Sequence, residues 1–393
     1  MNFTAAAAAE QKALALRFIV LIGLVSLFAD MTYEGARSIT GPYLAVLGAS
    51  GTAVGTVAGF GELIGYGLRL VSGYISDRTG RYWTVTLAGY VVNMVAVPLL
   101  ALAGSWQAAA FLMIAERAGK AIRTPPRDAM LSHASQSLGR GWVFGLHEAL
   151  DQVGATLGPL IVTAVLYFNG TYRTGFAVLL APALLALSAL LATRLLYPRP
   201  KDLELILPGL EAKGYPRRFW LYVVAASLIG AGYVDFPLIA YHFEKSTMVP
   251  DEWIPVLYAV AMGVDAAGAV VLGRLFDRRG VSVLIFATAL AALFAPLVFL
   301  LGGLFTLVGM ALWGLGMGAQ ESIMRAVVAE LIPGDRRASA YGIFNAAFGL
   351  FWFAGSLVAG ILYDVSLHAL VAASMALQLI SVPVLLAVRT KAP

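Results

Sequence analysis

The chain has 393 residues, 60% of them hydrophobic and only 12% charged, with a mean hydropathy of +0.82. A soluble domain carries about twice that charged fraction, so a soluble globular protein is excluded. The formal net charge of +5 is small for the length, and the absence of cysteine removes disulfides, thiolate nucleophiles and cysteine-based metal sites.

Apolar residues fall into runs of about 20, the length at which a helix crosses the hydrocarbon of a bilayer. Alternation with period two is missing, so the spans are helices and not barrel strands. In chain order they are predicted near 17–37, 51–74, 83–104, 106–123, 141–168 and 174–196, then 218–242, 252–274, 281–302, 304–325, 338–363 and 368–388. The expected fold is all-α: twelve transmembrane helices in two six-helix bundles, 1–196 and 218–393, joined by a cytoplasmic linker over 197–217. That linker mixes prolines with charges of both signs, and a short surface helix is expected at Asp202–Leu207. The segment from Arg123 through Pro125 and Pro126 to Asp128 reads as a proline-stiffened basic turn, with a counterpart from Pro333 to Arg337. The Ala5–Ala9 run has no basic stretch before it and no cleavage site after it, so no signal peptide is expected.

Lysine and arginine set the orientation. With the N-terminus inside, only Arg37, Arg173 and Lys245 of the 27 basic residues fall on outer loops or outer helix ends, and both termini are then cytoplasmic. The positive balance therefore reflects topology, and no nucleic-acid partner is expected. The expected location is a bacterial or archaeal cytoplasmic membrane, with the chain monomeric.

Charge inside a span costs about 2.5–3.5 kcal/mol at the bilayer centre, so acids there mark protein-facing or water-facing positions. Asp30 and Glu34 lie four apart on one face of span 1. Two desolvated carboxylates that close cannot comfortably both ionise, so one is expected to hold a proton or meet a cation; alternatively Glu34 pairs with Arg37 at the interface. Glu62 sits among Gly59, Gly61 and Gly65, too deep to snorkel, so it is expected to need a partner or a proton, with Arg69 as that partner or as a gate residue. Arg117 is expected to pair with Glu148 or Asp151 of span 5 and to couple proton occupancy to a conformational change, or to form a purely structural bridge. Asp235 and Asp265 carry the acidic character into the second half, while Glu321 and Arg325 read as a local pair. His147 beside Glu148 and Asp151 gives only a superficial metal face, and His133, His242 and His368 read as loop residues. No metal site, cofactor or ATP motif is expected, and no nucleophile–base motif marks an enzyme. Aromatics such as Tyr33, Tyr66, Tyr233, Phe236 and Trp313 either line a cavity or, more simply, pack the helices.

One element occurs twice: Gly73, Asp77, Arg78 and Gly80, followed by Arg81, and two hundred residues later Gly273, Asp277, Arg278 and Gly280. Tyr33 and Tyr233 keep the same offset, so the chain is two copies of one membrane unit. The sequence resembles a major facilitator superfamily transporter over essentially its whole length. Gly73 to Arg81 matches that family's loop 2–3 motif, and Arg117 resembles its membrane arginine. Gly154, Gly158 and Pro159 resemble the start of the motif of drug:proton antiporters, although Val162 and Thr163 stand where two further glycines are expected. The resemblance implies alternating access, with the loop 2–3 motif as a gate: Asp77 at the N-terminal end of span 11, and Arg78 and Arg81 on acids such as Asp128 or Glu330. Counting Arg69 and Arg117 against Asp30, Glu34, Glu62, Glu148, Asp151, Asp235 and Asp265, acids exceed bases within the membrane. The expected activity is therefore proton-coupled efflux of cationic or lipophilic small molecules. The alternatives are transport of a metabolite, lipid, siderophore or metal ion, or a non-transporting sensor or assembly partner.

Overall fold

A computed structural model describes residues 2–134, 140–198, 214–332 and 337–388. Most of the linker, including the proposed Asp202–Leu207 helix, and most of the Pro333–Arg337 turn lie outside the described residues. The first half contains α1 (Asn2–Val46), α2 (Gly51–Thr79), α3 (Tyr82–Leu99), α4 (Trp106–Ala134), α5 (Arg140–Tyr167), α6 (Tyr172–Val178) and α7 (Leu180–Leu196). The second contains α8 (Arg217–Gly232), α9 (Phe236–Ser246), α10 (Ile254–Arg279), α11 (Ser282–Ala291), α12 (Phe294–Phe299), α13 (Leu304–Leu331), α14 (Arg337–Val365) and α15 (Leu367–Val388). These fifteen helices make the twelve expected spans, three of which are broken into α6–α7, α8–α9 and α11–α12.

Each break has the same cause. Proline has no backbone N–H and clashes with the carbonyl four residues earlier. Pro182, Pro237 and Pro296 point back to Val178, Tyr233 and Ala292, and at each place the preceding helix stops at that residue or the one before it. Span 7 was expected to be continuous; instead Tyr233, Val234 and Asp235 leave the helix. Non-helical backbone at membrane depth needs internal partners. Ser374 Oγ (2.6 Å) and Gln378 Nε2 (3.3 Å) donate to the Gly232 carbonyl, and Trp313 Nε1 donates to Val234 O at 2.9 Å. Asp235 caps α9, accepting from the Phe236 N–H at 2.8 Å. This span is 83% buried, more than any other candidate span among the described residues.

The basic turn expected after span 4 is helix. α4 runs through Pro125 and Pro126 to Ala134. Pro125 cannot serve the Ala121 carbonyl, and the Ser72 hydroxyl of α2 donates to it instead at 3.3 Å. The helix continues, and Arg123 and Arg127 become interior residues.

By contacts the chain divides into two compact units. One comprises the described residues of Met1–Ala36, Gly67–Ala103 and Ala108–Leu207; the other those of Arg37–Tyr66, Gly104–Gln107 and Pro208–Pro393. This division does not run at the linker, because the last ten residues of α1 and the first half of α2 belong with the later helices. In the first unit, helices approach closely at glycines. A side chain at Gly154 or Gly158 of α5 would collide with the Leu27 or Met31 carbonyl of α1, and one at Gly119 of α4 with the Asn93 backbone of α3. In the second unit, Gly41 meets Pro237, Gly55 meets Ser356 and Gly314 meets Ala261 with the same intimacy.

The repeated motif ends α2 and α10 alike. Gly80 (φ 64°) and Gly280 (φ 58°) both adopt positive φ, and their N–H groups close the helices onto Ser76 O (2.8 Å) and Phe276 O (2.7 Å). A residue with a Cβ would be strained at either place.

Candidate functional site

The charged interior of the first unit is built from α1 and α4. Arg117, Lys120, Arg123 and Arg127 recur at three- or four-residue intervals, so they share one face of α4. The α1 residues Ser26, Asp30, Tyr33 and Glu34 share a face in the same way. The two faces match rung by rung. Arg127 Nη1 donates to Ser26 Oγ at 2.9 Å, Arg123 Nη2 to Asp30 Oδ1 at 3.4 Å, and Lys120 Nζ lies 3.8 Å from Glu34 Oε1. At the end of the ladder Lys120 and Arg117 both lie over the Tyr33 ring, at 3.6 and 4.9 Å.

Arg123 is the rung with most at stake. Its side chain is 1% exposed, its guanidinium lies 4.3 Å from the centre of the Tyr90 ring, and neither Nε nor Nη1 has a hydrogen-bond partner. A buried guanidinium with one long hydrogen bond to a carboxylate is a group whose position depends on that carboxylate's charge. The sequence pattern at 117, 120, 123 and 127 carried this signal, but reading Pro125–Pro126 as a turn hid it.

Arg117 does not reach Glu148 or Asp151 as expected; its Nε lies 3.8 Å from Glu116, whose Oε1 also accepts from Asn93 of α3 at 2.7 Å. Glu148 is exposed and accepts from Gln152 at 3.2 Å, which removes it from the network. Asp151 is in it, but through His147: His147 Nδ1 lies 3.3 Å from Asp151 Oδ2, and His147 Nε2 lies 2.9 Å from Ser26 Oγ. No group of three or more metal-ligating side chains occurs among the described residues.

In the second unit Glu62 lies beside Arg37. Arg37 Nη2 is 2.6 Å from Asp235 Oδ1 and 3.9 Å from Glu62 Oε1. Arg37 was placed at the outer end of span 1; α1 continues nine residues further, to Val46, and carries it into the protein. Its partner Asp235 is both the cap of α9 and the acid of the pair. Around the break sits an aromatic cluster: Tyr233 lies 5.6 Å from Trp313 and 5.8 Å from Trp352 between ring centres, and Phe236 lies 4.2 Å from Tyr258. The Tyr233 hydroxyl donates to the Trp313 carbonyl. Asp265 is buried on α10 where Gly318 of α13 crosses it. His242, expected in a loop, is buried in α9 with Nδ1 3.1 Å from the Tyr363 hydroxyl. Glu321 and Arg325 are exposed on α13.

The loop 2–3 motif makes local contacts. Arg78 donates to Tyr74 at 2.9 Å and Asp77 accepts from Tyr82 at 3.0 Å, while Asp128 is taken by Arg127 at 2.8 Å. Arg81, Asp277 and Arg278 are exposed, and Gly73 and Gly273 lie at the last turns of α2 and α10.

The model of the Major Facilitator Superfamily matches residues 22–356 and 250–393. The chain belongs to that family: it is a multi-pass membrane transporter of small molecules, not an enzyme. An uncharacterized protein of Mycobacterium tuberculosis is 42% identical over 380 residues, covering 95% of this chain and 93% of the relative. An uncharacterized MFS-type transporter of Methanocaldococcus jannaschii is 26% identical over 358 residues, covering 88% and 89%. Among solved structures, a mutant of the nucleoside transporter NupG matches with a TM-score of 0.78 at 11% identity, covering 95% of this chain and all of that one. That last likeness is one of fold alone.

Proposed function

We propose that the protein is a proton-coupled secondary transporter of the cytoplasmic membrane, monomeric, with both termini in the cytoplasm, and that its two six-helix halves (1–196 and 218–393) alternate access to a small polar substrate. The observation that carries this is the Asp30–Arg123 rung. Protonating Asp30 neutralises the carboxylate that the buried Arg123 guanidinium hydrogen-bonds, so a proton there changes what α4 can bind. Glu34 with Lys120 is the next rung, and Glu62, Arg37 and Asp235 form the corresponding charge cluster of the second unit. The contacts of α1 and α2 with α9 and α14 at Gly41, Gly55 and Gly59 are the side that must open in the opposite state. The loop 2–3 motif (Gly73, Asp77, Arg78, Gly80, Arg81) and its copy (Gly273, Asp277, Arg278) serve the opposing gate.

The preference for cationic substrates rested on an excess of acids. Arg37, Lys120, Arg123 and Arg127 raise the bases to six against those seven acids, and the cationic face of α4 favours a substrate bearing a carboxylate or phosphate, or a zwitterion. Efflux of cationic or lipophilic compounds is the second reading, favoured by the antiporter-like Gly154, Gly158 and Pro159 at the α1–α5 crossing.

The test is the purified protein in liposomes holding a pH-sensitive dye, challenged with panels of organic anions, zwitterions and cations. Proton movement with an anionic or zwitterionic compound, lost in Asp30→Asn, is the expected result. Movement with cations alone selects the second reading. A protein that moves substrate down its gradient with no proton movement overturns coupling.

A further inference from the structure

His147 is a buried titratable group that the ladder does not use. We infer that it is a proton-binding site, wired through Ser26 to Arg127, that sets the conformational equilibrium of the transporter; this rests on the alternating-access reading above.

His147 is 4% exposed and Ser26 fully buried. The imidazole is held at both nitrogens, Nδ1 on Asp151 of its own helix and Nε2 on Ser26 of α1. Ser26 Oγ in turn accepts from Arg127 Nη1. The other titratable or charged groups around this chain are Asp30 of α1, Tyr90 of α3 and Arg123 and Asp128 of α4. Asp151 supplies the negative charge that an imidazolium needs, and its Oδ1 has no hydrogen-bond partner.

Hydrogen-bond arithmetic makes the chain bistable. A hydroxyl has one proton and two lone pairs. With Arg127 donating to Ser26, a neutral His147 receives the Ser26 proton on Nε2 and keeps its own on Nδ1, facing Asp151. A proton added at Nε2 must itself be donated to Ser26 Oγ. That oxygen then faces two cationic donors, and its own hydrogen turns away. Repulsion between imidazolium and guanidinium drives Arg127 from Ser26 toward Asp128, already 2.8 Å away. One proton on α5 thereby undoes the lowest α1–α4 rung without touching Asp30. No covalent bond changes; the proton comes from water and returns to it.

Two measurements test this on the full-length protein in detergent or nanodiscs. Only four histidines occur, so isotope-labelled imidazole spectra can be assigned with the single variant His147→Asn. The His147 signal is expected to change with pH, with its midpoint shifted in Ser26→Ala. The natural absence of cysteine permits the second measurement: Ser356→Cys, buried between Gly55 and Gly59, is labelled by a maleimide only when that packing opens. Labelling is expected to change with pH along the His147 titration, and to lose that step in His147→Asn. An imidazole that keeps one charge state from pH 5 to 9 overturns the proposal, as does a His147→Asn protein whose labelling follows pH like the parent. If His147→Asn does not fold, the shift of both midpoints by Ser26→Ala decides the matter. Labelling that stays silent under every condition, while His147 titrates, overturns the alternating-access reading instead.

Discussion

The two units solve the problem of a polar interior in opposite ways. In the first, α1 and α4 face each other with ionised side chains, each cation matched to one carboxylate or hydroxyl. In the second, neutral groups serve the carbonyls of the broken span α8–α9 (Trp313, Ser374 and Gln378) and aromatic rings surround it, with one ion pair, Arg37 to Asp235, at the start of α9. The spans carrying these groups descend from one duplicated unit, as Tyr33 and Tyr233 and the glycines at 80 and 280 attest. Duplication preserved the scaffold and let the interiors diverge. The carboxylates of the charge ladder can take up protons, whereas the hydrogen bonds that close the break cannot, although the second unit keeps an ion cluster of its own at Arg37, Asp235 and Glu62.

The largest effect expected of that contrast is in the ladder. Asp30→Leu strands the Arg123 guanidinium in a buried site and should cost about 3–5 kcal/mol, read as a fall in thermal stability in detergent. Adding Arg123→Leu should restore most of it, because a buried ion pair exchanges for apolar residues at little net cost. Failure of the double variant to recover would mean that the rung is scaffold and not a switch. Next comes the neutral lock. Trp313→Phe keeps a ring but deletes the donor to Val234 O, leaving a buried carbonyl unsatisfied for about 1–3 kcal/mol. Its melting temperature should fall with the pH dependence of transport unchanged; an altered pH dependence would erase the distinction between the units. The smallest effect is at the proline of α4. Ser72→Ala removes the hydroxyl that replaces the missing N–H of Pro125, and a loss of about 1 kcal/mol is expected. A neutral result would show that water or a relaxed helix serves the Ala121 carbonyl equally well.

Much of this architecture was legible before any coordinates. The twelve spans followed from run length, the repeat from the Asp-Arg-x-Gly elements, and Asp30, Glu34, Glu62 and Asp235 from the cost of charge in lipid. Two of the errors share one origin, namely prolines. Pro237 was overlooked in span 7, although Gly230, Gly232 and an Asp cap precede it. Pro125 and Pro126 were read as a stop, although α4 passes through them. A proline only states that a carbonyl has lost its donor. Whether the helix breaks depends on what another helix offers: Ser72 rescues Ala121, while at Tyr233 the chain turns out and Trp313 binds the result.

The amino-acid order by itself determined that this is a duplicated, helical membrane transporter, because hydrophobic length and the price of buried charge are local properties of the chain. Partnership is not local. That Arg37 meets Asp235, that Arg123 hangs on Asp30, and that Ser26 joins His147 to Arg127 were decided by helices crossing at glycines far apart in sequence. Only packing sets those distances, and a buried charge is either idle or a switch according to the single group it is packed against.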